Sequence, residues 1–214
     1  MKTDDLISTL SNELKPVTPW AAPAKMALKY TLFGFVLVAL GLLLSGPRHD
    51  FSVKSLQFHF WLGISLWTAF SFLGLSLAFN LATPGRKVSP GLAVIFCLNF
   101  AGILLWHFLR LMGMNTAGLL EGLALDGSRC ALATTATAVV LGAGVLYRLK
   151  RGASRRPGLS TVLIGLAGLA IGGVLITLNC GDDNGMHVVM WHFVIPGIIT
   201  SLIAAAFMGR LLRW

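Results

Sequence analysis

Negative charge is scarce in this 214-residue sequence: Asp and Glu number eight against 17 Lys and Arg. None of the eight interrupts an apolar run. Asp4, Asp5 and Glu13 precede the first run, and Asp50, Glu121, Asp126, Asp182 and Asp183 fall between runs. A carboxylate at the centre of a membrane-crossing helix costs about 2.5–3.5 kcal/mol on insertion scales and is kept for proton relay or ion coupling. Its absence argues against a proton- or sodium-coupled transporter. Cysteine is sparse as well. Cys97, Cys130 and Cys180 are too few and too scattered for a secreted disulfide scaffold, and no C-x-x-C suggests a thioredoxin-like site or a zinc ribbon. A nucleophile elbow, a P-loop and an H-E-x-x-H are missing too, so no enzyme activity is expected.

What the sequence does have is apolar length. Hydrophobic residues make up 56% and charged residues 12%, and the apolar residues stand in blocks of about 20, which at ~1.5 Å per residue cross a ~30 Å hydrocarbon core. Six blocks are read: 26–45, 58–82, 91–109, 131–149, 159–178 and 188–208. Gly46-Pro47, Pro84-Gly85, Pro90 and Pro157-Gly158 mark their ends. The expected fold class is therefore all-α: a polytopic membrane protein with six transmembrane helices, its bilayer contacts made by the helix faces. The first 25 residues, with Asp4, Asp5 and Glu13 and no apolar stretch, do not read as a signal peptide.

Six crossings leave both termini on one side, and the basic residues then divide thirteen to four. The richer side includes the run Arg148, Lys150, Arg151, Arg155 and Arg156 in one short loop; the poorer has Arg48, Lys54, Arg110 and Arg129. The positive-inside rule places the N and C termini in the cytoplasm, with the protein multi-pass in a membrane of the inner-membrane type. The formal charge of +9 is thus a topology signal, and no direct nucleic-acid partner is expected.

This topology turns Cys130 and Cys180 outward, with all five His at the same face: His49 and His187 in loops, His59 and His192 opening spans, and His107 closing one. Thiolate and imidazole suit zinc, cadmium or copper, and paired thiols in an oxidising compartment can close a disulfide. Taken singly, each His fits an interfacial belt with Trp61, Trp106 and Trp191 as anchors. Taken together, Cys180, His187, Trp191 and His192, with Asp182 and Asp183 between, form the densest group, and His187 and His192 are candidate ligands for a divalent heavy metal. In a regular α-helix His192 would point roughly 140° away from His187. Cys97, mid-span, is expected to be a small buried residue.

Residues 1–25 form the one sizeable polar segment inside, set apart from the six-span domain of 26–214. Thr3, Asp4 and Asp5 suit a helix start, and Leu6, Ile7, Leu10 and Leu14 recur at helical spacing before Pro16. Three turns are marginal alone in water, so the stripe needs a partner. Anionic headgroups repel Asp4, Asp5 and Glu13, which favours a protein over the membrane surface.

The tail reads L-x-x-x-L-x-P-V-x-P-x-x-x-P through Leu10, Leu14, Pro16, Val17, Pro19 and Pro23. The outer end reads C-x(6)-H-x-x-x-W-H-x-x-x-P through Cys180, His187, Trp191, His192 and Pro196. With six spans and this length, the chain resembles the NrsF family of bacterial membrane anti-sigma factors over essentially its whole length. The resemblance implies that the cytoplasmic tail, through Leu6, Ile7, Leu10, Leu14, Pro16, Val17 and Pro19, holds an extracytoplasmic-function sigma factor. It further implies that periplasmic oxidative or heavy-metal stress weakens the hold, Cys130 and Cys180 matching the family's pair of periplasmic cysteines. Gly181 departs from the Pro that often follows the second Cys. The rival classes are a membrane redox enzyme, either a quinone-linked thiol oxidase or a b-type cytochrome using His107 and His192, and a small permease.

Overall fold

A computed structural model of the chain describes residues 3–12, 21–83, 85–150, 154 and 156–211. Among them there is no strand, and six helices are long and apolar enough to cross a membrane. In chain order the helices are α1 (Thr3–Asn12), α2 (Pro23–Ser45), α3 (Phe51–Lys54), α4 (Phe58–Ala82), α5 (Pro90–Met112) and α6 (Thr116–Glu121). A 3-10 turn (Leu125–Gly127) leads into α7 (Ser128–Leu149), followed by α8 (Pro157–Asn179) and α9 (Gly185–Val189). A π-helical turn (Met190–Val194) then runs into α10 (Ile195–Leu211). The chain is a multi-pass membrane protein, and its spans are those read from apolar length, extended by a few residues at their ends. Proline opens α2, α5 and α8, where its missing N–H would have had no intrahelical partner. Gly46, at φ 78, ends α2 in a conformation that side chains resist.

Between helices in hydrocarbon, lipid is as apolar as leucine, so association depends on close packing. The packing centres on α8, which lies against α2, α4, α7 and α10. It touches α7 most closely at two glycines. A Cβ on Gly168 would meet the Ala138 backbone at 2.8 Å, and one on Gly172 would meet Thr134 at 2.7 Å. The two glycines stand at a G-x-x-x-G spacing, the step that lets helix backbones approach closely. By contrast α5 packs mainly on α4 and turns Val94, Leu98, Leu104 and Phe108 outward.

At one end of the bundle the 46–57, 113–127 and 180–184 segments meet. The Arg48 N–H donates to Leu178 O at 2.9 Å, Asn179 Nδ2 donates to Gly46 O at 2.6 Å, and Asn184 Nδ2 donates to Gly118 O at 2.9 Å. The ends of α2 and α8 and the short helix α6 are thereby fastened around one small region.

Candidate functional site

Cys130 occupies the first turn of α7, and Cys180 follows the last turn of α8, its N–H donating to Ile176 O at 2.7 Å. Residues 181–184 then reverse the chain. Asp182 Oδ1 accepts the Asn184 N–H at 2.8 Å, and Asn184 Oδ1 caps α9 by accepting the N–H groups of Met186 and His187 at 2.9 and 3.2 Å. His187, expected in a loop, thus lies in a short helix. His192 differs more. Its helix is not regular: the Ile195 N–H donates to Met190 O, five residues back, and this wider turn takes up one extra residue. The underwinding cancels the expected divergence, and the His187 and His192 rings meet edge to face with centroids 5.4 Å apart.

The outcome is a cluster that sequence spacing did not give. One ligand atom each from Cys130, Cys180, His187 and His192 lies within 4.8 Å of all the others. His187 Nε2 is 3.8 Å from Cys180 Sγ, and its Nδ1 is 3.1 Å from Asp182 Oδ2. An ionised carboxylate can only accept, so Nδ1 carries the proton and Nε2 is aimed at the sulfur. His192 is 4% exposed, and its Nε2 has no hydrogen-bond partner. Both thiols are free. The thiol of Cys130 directed at Cys180, together with His192, holds the Cys180 thiol well below its ordinary range against the opposing effect of burial.

Gly122 and Gly127 let the 113–127 segment close over this cluster. A Cβ on Gly122 would meet Asn184 Oδ1 at 2.5 Å, and one on Gly127 would run into the Trp191 ring. Trp191, read as an interfacial anchor, is instead buried against Gly127. Beside the cluster, buried Arg48 bonds Asp50 through Nη2 at 2.9 Å and Asp183 through the same nitrogen at 3.2 Å. Lys54 pairs with Asp183 too, and Arg110 approaches it at 3.8 Å. From sequence Asp182 and Asp183 stood between Cys180 and His187, but neither the Asp182 contact with His187 nor this ion cluster was legible. Both depend on a loop whose acids follow no helical or strand period.

A model of the NrsF family, described as negative regulator of sigma F, matches residues 10–214. The chain belongs to the NrsF family. No significant match was found among curated proteins or among solved structures. NrsF membership supports a negative regulator of a sigma factor, with a sigma factor as the implied partner, rather than an enzyme.

The remaining NrsF residues singled out from sequence divide by position. In the tail, α1 forms and Ile7 is exposed on it; Leu6 and Leu10 fall within α1, but their side chains lie outside the described set. Leu14, Pro16, Val17 and Pro19 lie outside the described residues. Cys97 is not buried but exposed on α5. His107 packs its ring on Phe193 and Trp67, with centroids 4.8 and 5.9 Å away. The cavity it shares with His192 is about 70 Å³, against the roughly 300 Å³ or more of a site for a large organic ligand, so a porphyrin has no room there.

Proposed function

We propose that this NrsF-family protein is a bacterial inner-membrane anti-sigma factor that sequesters an extracytoplasmic-function sigma factor through its cytoplasmic tail, residues 1–25. In this reading it releases that client on periplasmic oxidative or heavy-metal stress sensed by Cys130 and Cys180. The observation that carries the sensing half is the convergence of the two sulfurs, fifty positions apart in sequence, in one cluster with two imidazoles. The thirteen-to-four division of basic residues supports the sidedness, with the sulfurs outside and α1 inside.

The two thiols sit at the same end of neighbouring helices, α7 and α8. Hydrogen peroxide oxidises them to a disulfide, taking two electrons and two protons and leaving as two waters; a soft cation such as cadmium binds both as thiolates with loss of their protons. Either event changes the sulfur spacing. Because α7 and α8 interlock at Gly168 and Gly172, the pair carries the change as a body towards residues 150–156 and the tail side. Release follows only where the client prefers one packing state over the other.

The test uses the full-length protein in native membranes. The unaltered chain retains a sigma factor in a pulldown, Leu10→Asp with Leu14→Asp loses it, and Cys130→Ser with Cys180→Ser retains it but no longer releases it under cadmium or peroxide. Retention of no sigma factor by the unaltered chain overturns the assignment, and unchanged release in the double Ser variant removes the thiols as the sensor.

A further inference from the structure

We infer that Cys130, Cys180, His187 and His192 form a closed four-ligand site for a tetrahedral divalent cation of the zinc class, resident in the resting protein, with Asp182 orienting one ligand. The inference deepens the sensing reading and rests on it for the role of the two thiols.

Donor chemistry comes first. Two sulfurs and two imidazole nitrogens are the set of a structural zinc site, whereas calcium and magnesium need oxygens, and no carboxylate belongs to this group of four. Geometry comes second. Zinc bonds of about 2.0–2.3 Å place tetrahedral donors roughly 3.3–3.8 Å from one another. Here all four atoms already lie within 4.8 Å of each other, a span that small side-chain rotations close. Four separately placed segments supply them: the first turn of α7, the end of α8, α9 and the π-helical turn. Wound as a regular α-helix over the same residues, that turn would face His192 elsewhere.

Two further observations point to a ligand. His192 is buried and one of its ring nitrogens belongs to the cluster, while its Nε2 makes no hydrogen bond, a state that a buried polar atom does not favour and that a cation relieves. His187 Nδ1 meets Asp182 at 3.1 Å, the carboxylate–histidine arrangement that fixes the ring and raises the basicity of the ligating nitrogen. With four protein donors there is no open position for substrate, so the site belongs to the structural class and not the catalytic one.

Occupancy and disulfide formation then exclude each other, since both use the same sulfurs. Hydrogen peroxide takes two electrons from the two thiolates and leaves, with two protons from solvent, as two waters. A disulfide forms and the ion departs with its charge unchanged. Cadmium, with greater affinity for thiolate, displaces zinc at the same four donors.

The test uses the full-length protein in detergent, reduced and stripped with a chelator, with Co(II) as the probe. One equivalent of Co(II) should give the intense ligand-field bands of a tetrahedral site and a sulfur-to-cobalt charge-transfer band, both abolished by one equivalent of zinc. Asp182→Asn should weaken binding by about 10–100-fold with the spectrum retained. His192→Ala should weaken it at least as much and alter the spectrum, and His192→Gln, closer in size, replaces it where Ala misfolds. In a Cys97→Ser background, zinc on the otherwise unaltered chain should shield both remaining thiols from maleimide. A six-coordinate cobalt spectrum, unshielded thiols, or binding unchanged by loss of either His overturns the site. Sigma-factor retention, measured on the same variants, separates the two readings: a failed site with the client still held and released leaves the sensor reading standing, and a zinc-loaded site with no client retained leaves the site standing alone.

Discussion

Asp183 bears one negative charge and faces Arg48, Lys54 and Arg110. Burial raises its carboxyl, but the hydrogen bonds from Lys54 and Arg48 outweigh this and hold it below the ordinary range. Asp50, bonded to Arg48, is lowered to about 2. A carboxyl depressed by folding stabilises fully above its unfolded value of about 3.9, and that contribution disappears as pH falls through the folded value. The stabilisation contributed by these two carboxyls, read from melting in detergent, should therefore be level from about pH 7 to about pH 5 and decline below about pH 4. Asp183→Asn should remove part of that acid dependence. Since Asp183 is 38% exposed, the same substitution should destabilise by about 1–3 kcal/mol, short of the loss from breaking a fully buried pair. Melting curves of the two proteins across the pH range check both expectations; an unchanged melting temperature at neutral pH would show that the cluster contributes nothing.

Two elements depend on backbone features. The π-helical turn, Met190–Val194, carries one residue more than a regular helix needs. Deleting Met190 should restore an α-helix in which His187 and His192 stand four positions apart on one face. We expect that deletion to preserve expression and thiol shielding by zinc, although a deletion within a span is ordinarily disruptive. Loss of shielding with folding intact would mean that the wider turn does more than absorb a residue. The α7–α8 contact makes the opposite prediction. Gly172→Leu drives a side chain into the Thr134 backbone, which cannot yield as a flexible side chain does, so a loss of about 1–3 kcal/mol or more is expected. Gly63, with open space around it, should accept Ala at little cost in the same melting assay.

At the scale of the molecule, the proposal needs the two ends of the bundle in different compartments. In intact cells an impermeant maleimide should label Cys130 and Cys180 in the zinc-stripped protein, and a single Cys placed at Ser8 of a cysteine-free variant should stay unlabelled until the membrane is opened. The reverse pattern would refute the anti-sigma mechanism and leave the four-residue cluster as it stands. α1 is the other requirement: its exposed Ile7 lies on a helix of ten residues, short for stability in water without a partner.

Apolar length determined the six spans from sequence alone, because a bilayer satisfies no backbone polar group and helices must bond internally. Prolines marked where α5 and α8 begin, since their effect is local. The two motifs at opposite ends of the chain were enough to indicate the NrsF family. Only the tertiary structure decided that Cys130 would meet Cys180, that a π-helical turn would swing His192 onto the His187 face, that Trp191 would bury itself on Gly127, and that Asp182 and Asp183 would take different partners. Each of these depends on how separate segments pack or on a one-residue change in helical winding, and neither leaves a period in the chain. Hydrophobicity sums along a sequence, whereas the meeting of four donor atoms is a property of the folded arrangement.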